Sequence, residues 1–111
     1  VKGDVVMVEL TKDADKLLCC IYKQFLERRK SGFSKFDAKS FESDFYVTDK
    51  NISSWNDDDV SDTLLELGRA KYIRLFLGRD FDLEDAAIVY MENRFKNGLL
   101  EVTDFISKFI P

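Results

Sequence analysis

The sequence predicts a mainly α domain that carries one short β-hairpin. Three features carry that expectation. Apolar residues recur at helical spacing in separate stretches along the chain. Residues 55–83 read as a capped helix that runs directly into a run of β-formers, a turn and a return strand. The 111 residues include one Pro and five Gly, so little interrupts helix formation. A chain of this length is expected to form a single domain, 1–111, with 1–9 as an arm or a vector remnant before Met7 and 84–111 as a C-terminal helical extension.

The first helix is expected to start at Thr11 as N-cap, with Asp13 and Asp15 in the first turn where the helix dipole favours acids. Ala14, Leu17, Leu18, Ile21 and Phe25 form its inward stripe. Ser31-Gly32 ends it near Lys30, and Arg28, Arg29 and Lys30 suit the negative end of the dipole without any ligand. Ser34 opens a capping-box-like start to a second helix expected to reach about Asp44, with Phe36 or Ala38, Phe41 and Phe45 toward the core. A polar connection follows over 46–55, with Tyr46-Val47-Thr48 extended.

Asn56 caps the third helix, and Asp57, Asp58 and Asp59 load its positive N-terminus. Val60, Leu64 and Leu67 point inward. Asp58, Asp62, Glu66 and Arg69 form the opposite face, Leu65 lies on the flank, and Gly68 loosens the exit. Tyr72–Leu77 reads as a strand, Gly78-Arg79 as a two-residue turn, and Asp80–Leu83 as the antiparallel return. Asp82 with Asp85 caps a fourth helix with the stripe Ala87, Ile88, Met91 and Phe95, closed by Asn97-Gly98. A fifth helix from about Leu99 presents Val102, Phe105, Ile106, Phe109 and Ile110. That face packs on the first helix or is exchanged with a second copy of the chain.

Composition narrows the function classes. Hydrophobic residues make up 45% of the chain and ten are Phe, which suits a packed globule. There is no His, which removes the commonest general base and the commonest zinc ligand. Cys19 and Cys20 diverge by about 100° on a helix, so they are expected to be reduced core residues, in line with a reducing, cytoplasmic setting. No apolar run is long enough for a membrane span, and Val5–Val8 is too short for a signal peptide. The net charge of −4 is banded: residues 23–39 carry +4, residues 40–67 carry −7, and residues 68–79 carry +4.

Two stretches give the chain a family likeness. Leu64-Leu65-Glu66-Leu67-Gly68-Arg69-Ala70-Lys71-Tyr72-Ile73 resembles the passage from recognition helix to first wing strand in winged helix-turn-helix domains, although Ala70-Lys71 replaces the usual small residue before the aromatic. Phe81-Asp82-Leu83-Glu84 through Ala87–Glu92 is similar to the start of the helix after the wing, with Glu84 in place of a Thr and Ala87 or Ile88 in place of a Gly. Over roughly residues 11–110 the chain resembles small winged-helix proteins of Firmicutes and their phages, the YjcQ-like group. The resemblance implies a winged helix-turn-helix with two additional C-terminal helices, and with it DNA binding and transcriptional regulation.

The residues themselves divide over that role. A DNA reader needs cations against phosphate. Arg69 and Lys71 at the end of the third helix, Arg74 and Arg79 on the hairpin, and Lys35 and Lys39 on the second helix are the candidates. Asp58, Asp62 and Glu66 oppose insertion of that helix into a major groove, because each would approach a line of phosphates. The second reading is a protein-interaction or dimerisation module. It would use Asp58, Asp62, Leu65 and Glu66 against a basic partner, or Phe105 and Phe109 in a homodimer through the C-terminal helix. Catalysis is not expected: the carboxylates of Asp57–Asp59 suit a helix start, and no nucleophile sits beside a base. No cofactor and no metal are expected. The Asp80–Glu84 acids lack the glycine and the distal Glu of a calcium loop.

Overall fold

The structure is a computed structural model that describes residues 9–109. Residues 1–8 of the expected N-terminal arm, Met7 among them, and Ile110 lie outside them. Nine elements follow in order: α1 (Lys12–Lys30), α2 (Lys35–Ala38), β1 (Ser40–Phe41), α3 (Asp57–Arg69), β2 (Ile73–Leu75), a 3-10 turn (Leu77–Arg79), β3 (Phe81–Leu83), α4 (Asp85–Arg94) and α5 (Leu99–Ser107). The protein is mainly helical, with a small antiparallel sheet in the order β1-β3-β2.

Helix α1 begins as its sequence dictates. The Thr11 hydroxyl accepts from the Ala14 N–H at 3.2 Å, and Glu66 of α3 accepts from the Thr11 N–H at 2.8 Å and from its hydroxyl at 2.7 Å. Donors otherwise left over at a helix start are thereby satisfied from a second helix. Ala14, Leu17, Leu18, Ile21 and Phe25 are buried, as are Cys19 and Cys20. Each fully buried Leu or Ile contributes roughly 1.5–3 kcal/mol of hydrophobic free energy. The helix ends where Gly32 takes φ 101°.

Helix α2 is shorter than expected. Ser34 accepts from the Asp37 N–H at 3.0 Å, but the helix stops at Ala38 rather than near Asp44. The chain becomes β1 instead, which pairs Ser40 with Asp82 and Phe41 with Phe81. The two rings stack at 5.0 Å with an interplanar angle of 2°. Phe41 and Phe45 are four apart and so fit a helical stripe. Cross-strand pairing with Phe81 overrides that local preference. Arg28 fixes the strand from outside: its guanidinium donates to the Ser40 carbonyl at 2.6 Å and stands 4.0 Å over the Phe41 ring. Ala38, Phe41 and Phe45 are buried, while Phe36 is 75% exposed.

Residues 42–55 form successive turns, so Tyr46-Val47-Thr48 is not extended. Bonds such as Phe45 N–H to the Glu42 carbonyl and Val47 N–H to the Asp44 carbonyl stitch them together. Ile52 plugs them into the core.

Helix α3 starts at the Asn56 cap, which accepts from the Asp58 N–H at 2.8 Å. Val60, Leu64 and Leu67 are fully buried. Gly68 remains helical, and the stop lies further on. Lys71, at φ 67°, donates its N–H to the Gly68 carbonyl, and Tyr72 donates to Leu67 at 3.1 Å. This is a Schellman closure with Lys in the left-handed position that Gly usually fills. It turns the backbone straight into β2.

Strands β2 and β3 pair Ile73 with Leu83, Arg74 with Asp82 and Leu75 with Phe81. The turn between them holds three residues, Leu77–Arg79, rather than two, and is closed by Phe76 N–H to the Asp80 carbonyl at 2.8 Å. Both Gly78 and Arg79 adopt positive φ, 81° and 74°.

Helix α4 begins at Asp85 behind Glu84, whose side chain makes no capping bond. It ends at Arg94, before the expected Asn97-Gly98 stop. Gly98 instead precedes α5, at φ 64°. Helix α5 packs on α1 through the buried Val102 and Ile106. Phe105 lies against Phe95 and Phe109, with ring centroids 5.4 and 5.2 Å away.

Candidate functional site

Helix α3 and the hairpin lie side by side, because the Schellman turn leaves no linker between them. Their junction decides which of the six candidate cations remain available. Arg79 is not among them. Its guanidinium turns back from the hairpin to the start of α3 and donates to Asp57 Oδ1 at 3.1 Å and to Ser61 Oγ at 2.5 Å. The Tyr46 hydroxyl donates to the same Asp57 oxygen at 2.7 Å. Together they hold the Asp57 carboxyl below its ordinary range, with the Tyr46 hydrogen bond the larger cause, and the Tyr46 phenol is raised in turn.

Lys39 and Lys35 are drawn to α4. Both approach Asp85 Oδ1, at 3.0 and 3.8 Å, and Asp85 is held below the usual carboxylate range mainly by the Lys39 hydrogen bond. The structure therefore does not bring these two lysines to the third helix. Three candidates do gather there. Arg69 at the last turn of α3, Lys71 at its closure and Arg74 on β2 are all exposed. None forms an ion pair with another described residue, and Arg74 stands 5.6 Å over the Phe76 ring. They rim an open groove between α3 and β2, with Leu65, Ile73 and Leu75 along it and Glu84 at one side.

The acidic candidates also separate. Asp58 and Asp62 are exposed on α3, and Leu65 is 49% exposed. Glu66 is engaged by Thr11 of α1 as described above. Its carboxylate is occupied in joining α3 to the start of α1. Phe105 and Phe109 are half-buried.

Some consequential residues gave no clear signal in the sequence. Arg94 donates to both oxygens of Asp15, at 2.6 and 3.0 Å, across α4 and α1. Its guanidinium lies 4.6 Å over Phe105 and 4.9 Å over Phe95. Nothing in the spacing of Asp15 and Arg94 announces this pair. The apolar end of the hairpin was likewise hidden inside a run read as strand: Leu77 is fully exposed and Phe76 is 44% exposed.

Cys19 and Cys20 are free, fully buried thiols, and burial pushes each up to about 12. They are core residues far from the thiolate character a nucleophile needs. No group of His, Cys, Asp or Glu among the described residues has the arrangement of a metal site. No helix among them is long and apolar enough to cross a membrane. No family model, curated protein or solved structure matches the chain.

Proposed function

We propose that this chain is a winged-helix-like binding module, not an enzyme, and that it recognises a protein partner rather than the major groove of DNA. The order of two helices, a short strand, a third helix and a hairpin, with β1 added beside β3, supports the winged-helix reading. The likeness to the small winged-helix proteins of Firmicutes and their phages rests on the junction residues Leu64–Ile73 and on Phe81–Glu92. The buried thiols fit a reducing compartment such as the cytoplasm.

One observation carries the choice of partner: Arg79 is folded back on Asp57 and Ser61. The turn of the hairpin, which a wing would lay on the phosphate backbone, has its cation engaged within the chain. Its exposed tip is Leu77. Asp58 and Asp62 remain on the outer face of α3, where they would repel phosphate.

A second reading, DNA binding with a regulatory role, draws on the three exposed cations Arg69, Lys71 and Arg74 at one end of α3. A fluorescence-anisotropy titration with random and genomic duplexes, at low and at raised salt, separates the two. The protein-binding reading predicts no saturable duplex affinity at low salt. Saturable binding that weakens steeply with salt, with a slope flattened by Arg74→Glu, would replace it with the DNA reading.

A further inference from the structure

We propose that the groove between α3 and β2 docks an acidic segment of a partner protein that carries large aliphatic side chains. This rests on reading the chain as a protein-binding module, and it adds where the partner sits and what chemistry the partner presents. The groove has an apolar lining, Leu65 from the helix and Ile73 and Leu75 from the strand, and it stays open to solvent. Phe76 and Leu77 extend the apolar surface past its end, with Leu77 fully exposed.

The charge around that lining fixes the sign of the partner. Arg79, Lys35, Lys39, Arg94, Lys23 and Lys108 each form an ion pair with a carboxylate of this chain. Arg69, Lys71 and Arg74 form none with any described residue, although the chain as a whole is acidic, at −4. Glu84 is the one acid lining the groove, and it leaves the rim net basic. Three cations around an aliphatic floor are complementary to carboxylates flanking an aliphatic anchor. The phosphate backbone of duplex DNA offers negative charge but no aliphatic side chain to fill the floor formed by Leu65, Ile73 and Leu75.

The position of Lys71 is part of the site. Its left-handed backbone, φ 67°, is where a Gly would end the helix without cost. A Lys there keeps a side chain on the rim at the point where helix and strand meet.

The test uses the full chain and labelled peptides followed by anisotropy, with amide shifts in NMR to locate them. A peptide of alternating Leu and Glu is compared with a Ser/Glu peptide of equal charge, a Leu/Lys peptide, and a duplex DNA. The Leu/Glu peptide is expected to bind and to shift the amides of Leu65, Gly68, Arg69 and Arg74. The Ser/Glu peptide should bind at least about tenfold more weakly, and the Leu/Lys peptide not at all. Arg69→Glu with Arg74→Glu should lower Leu/Glu affinity by about tenfold or more. Arg69→Gln with Arg74→Gln, which places no acid opposite Asp82 or at the end of α3, should also weaken it while leaving the thermal midpoint nearly unchanged. Equal binding of the Ser/Glu peptide, or shifts elsewhere with no effect of charge reversal, would overturn the groove and leave the protein-binding reading standing. Absence of Leu/Glu binding would also overturn it. Duplex DNA binding at these same amides, with the peptide inactive, would overturn both.

Discussion

Asp57 takes hydrogen bonds from Tyr46 and Arg79, and so joins the long turn region, the first turn of α3 and the hairpin. Its ionised form is favoured in the fold, so the sign of its pH effect follows. A carboxyl depressed on folding contributes stability above its unfolded value and loses it as pH falls through the depressed one. NMR titration of the Asp57 carboxyl should find it below the ordinary range. Tyr46→Phe should move it upward, and Arg79→Ala, which removes both a hydrogen bond and a nearby positive charge, should do so as well. Identical titration in wild type and both variants would remove the clasp from the description. Such a tie was not legible in the sequence. Asp57 there reads as a dipole-satisfying cap, which it also is, and Arg79 reads as a wing cation. Only the tight closure at Lys71 brings positions 22 residues apart within 3.1 Å.

At the level of elements, the helices α1 and α3 were legible because their stripes are long and their caps are typical: Thr11 and Asn56 bond as their side chains suggest. Helix α5 was legible from its apolar face alone, since Gly98 before it makes no side-chain cap. The small sheet was half legible. Gly78 marked the hairpin, whereas β1 is two residues long and exists through its pairing with β3, a long-range contact that no local pattern reports. The same pairing shortened α2. Helix α3 ends at Arg69, as placing Arg69 and Lys71 at its end expects, but the stop is made by Lys71 and Gly68 does not loosen the exit. Gly68 is helical, and a methyl group built there would meet Leu75 Cβ at 3.9 Å, an ordinary van der Waals distance. Gly68→Ala should therefore stabilise the domain by about 0.5–1 kcal/mol, from helix propensity and reduced unfolded-state freedom. A urea midpoint would register the gain. A loss of stability would mean that α3 and β2 are packed too closely there for any side chain.

For the whole molecule, part of the charge banded along the chain is paired between distant stretches. Folding pairs the basic 23–39 stretch with α4 through Asp85 and pairs the turn of the hairpin with the acidic start of α3. What remains at the junction is Arg69, Lys71 and Arg74 around an aliphatic groove, next to an α3 face that still bears Asp58 and Asp62. The sequence offers six candidate cations but not which of them are paired within the fold, because that depends on partners distant in the chain. The most direct measurement is an NMR titration of the uniformly labelled protein with duplex DNA at low salt, read at the amides of α3. The account predicts that Asp58, Asp62 and Leu65 keep their shifts as duplex is added in excess. Saturating shifts along that face would contradict it and return α3 to the role of a DNA-reading helix.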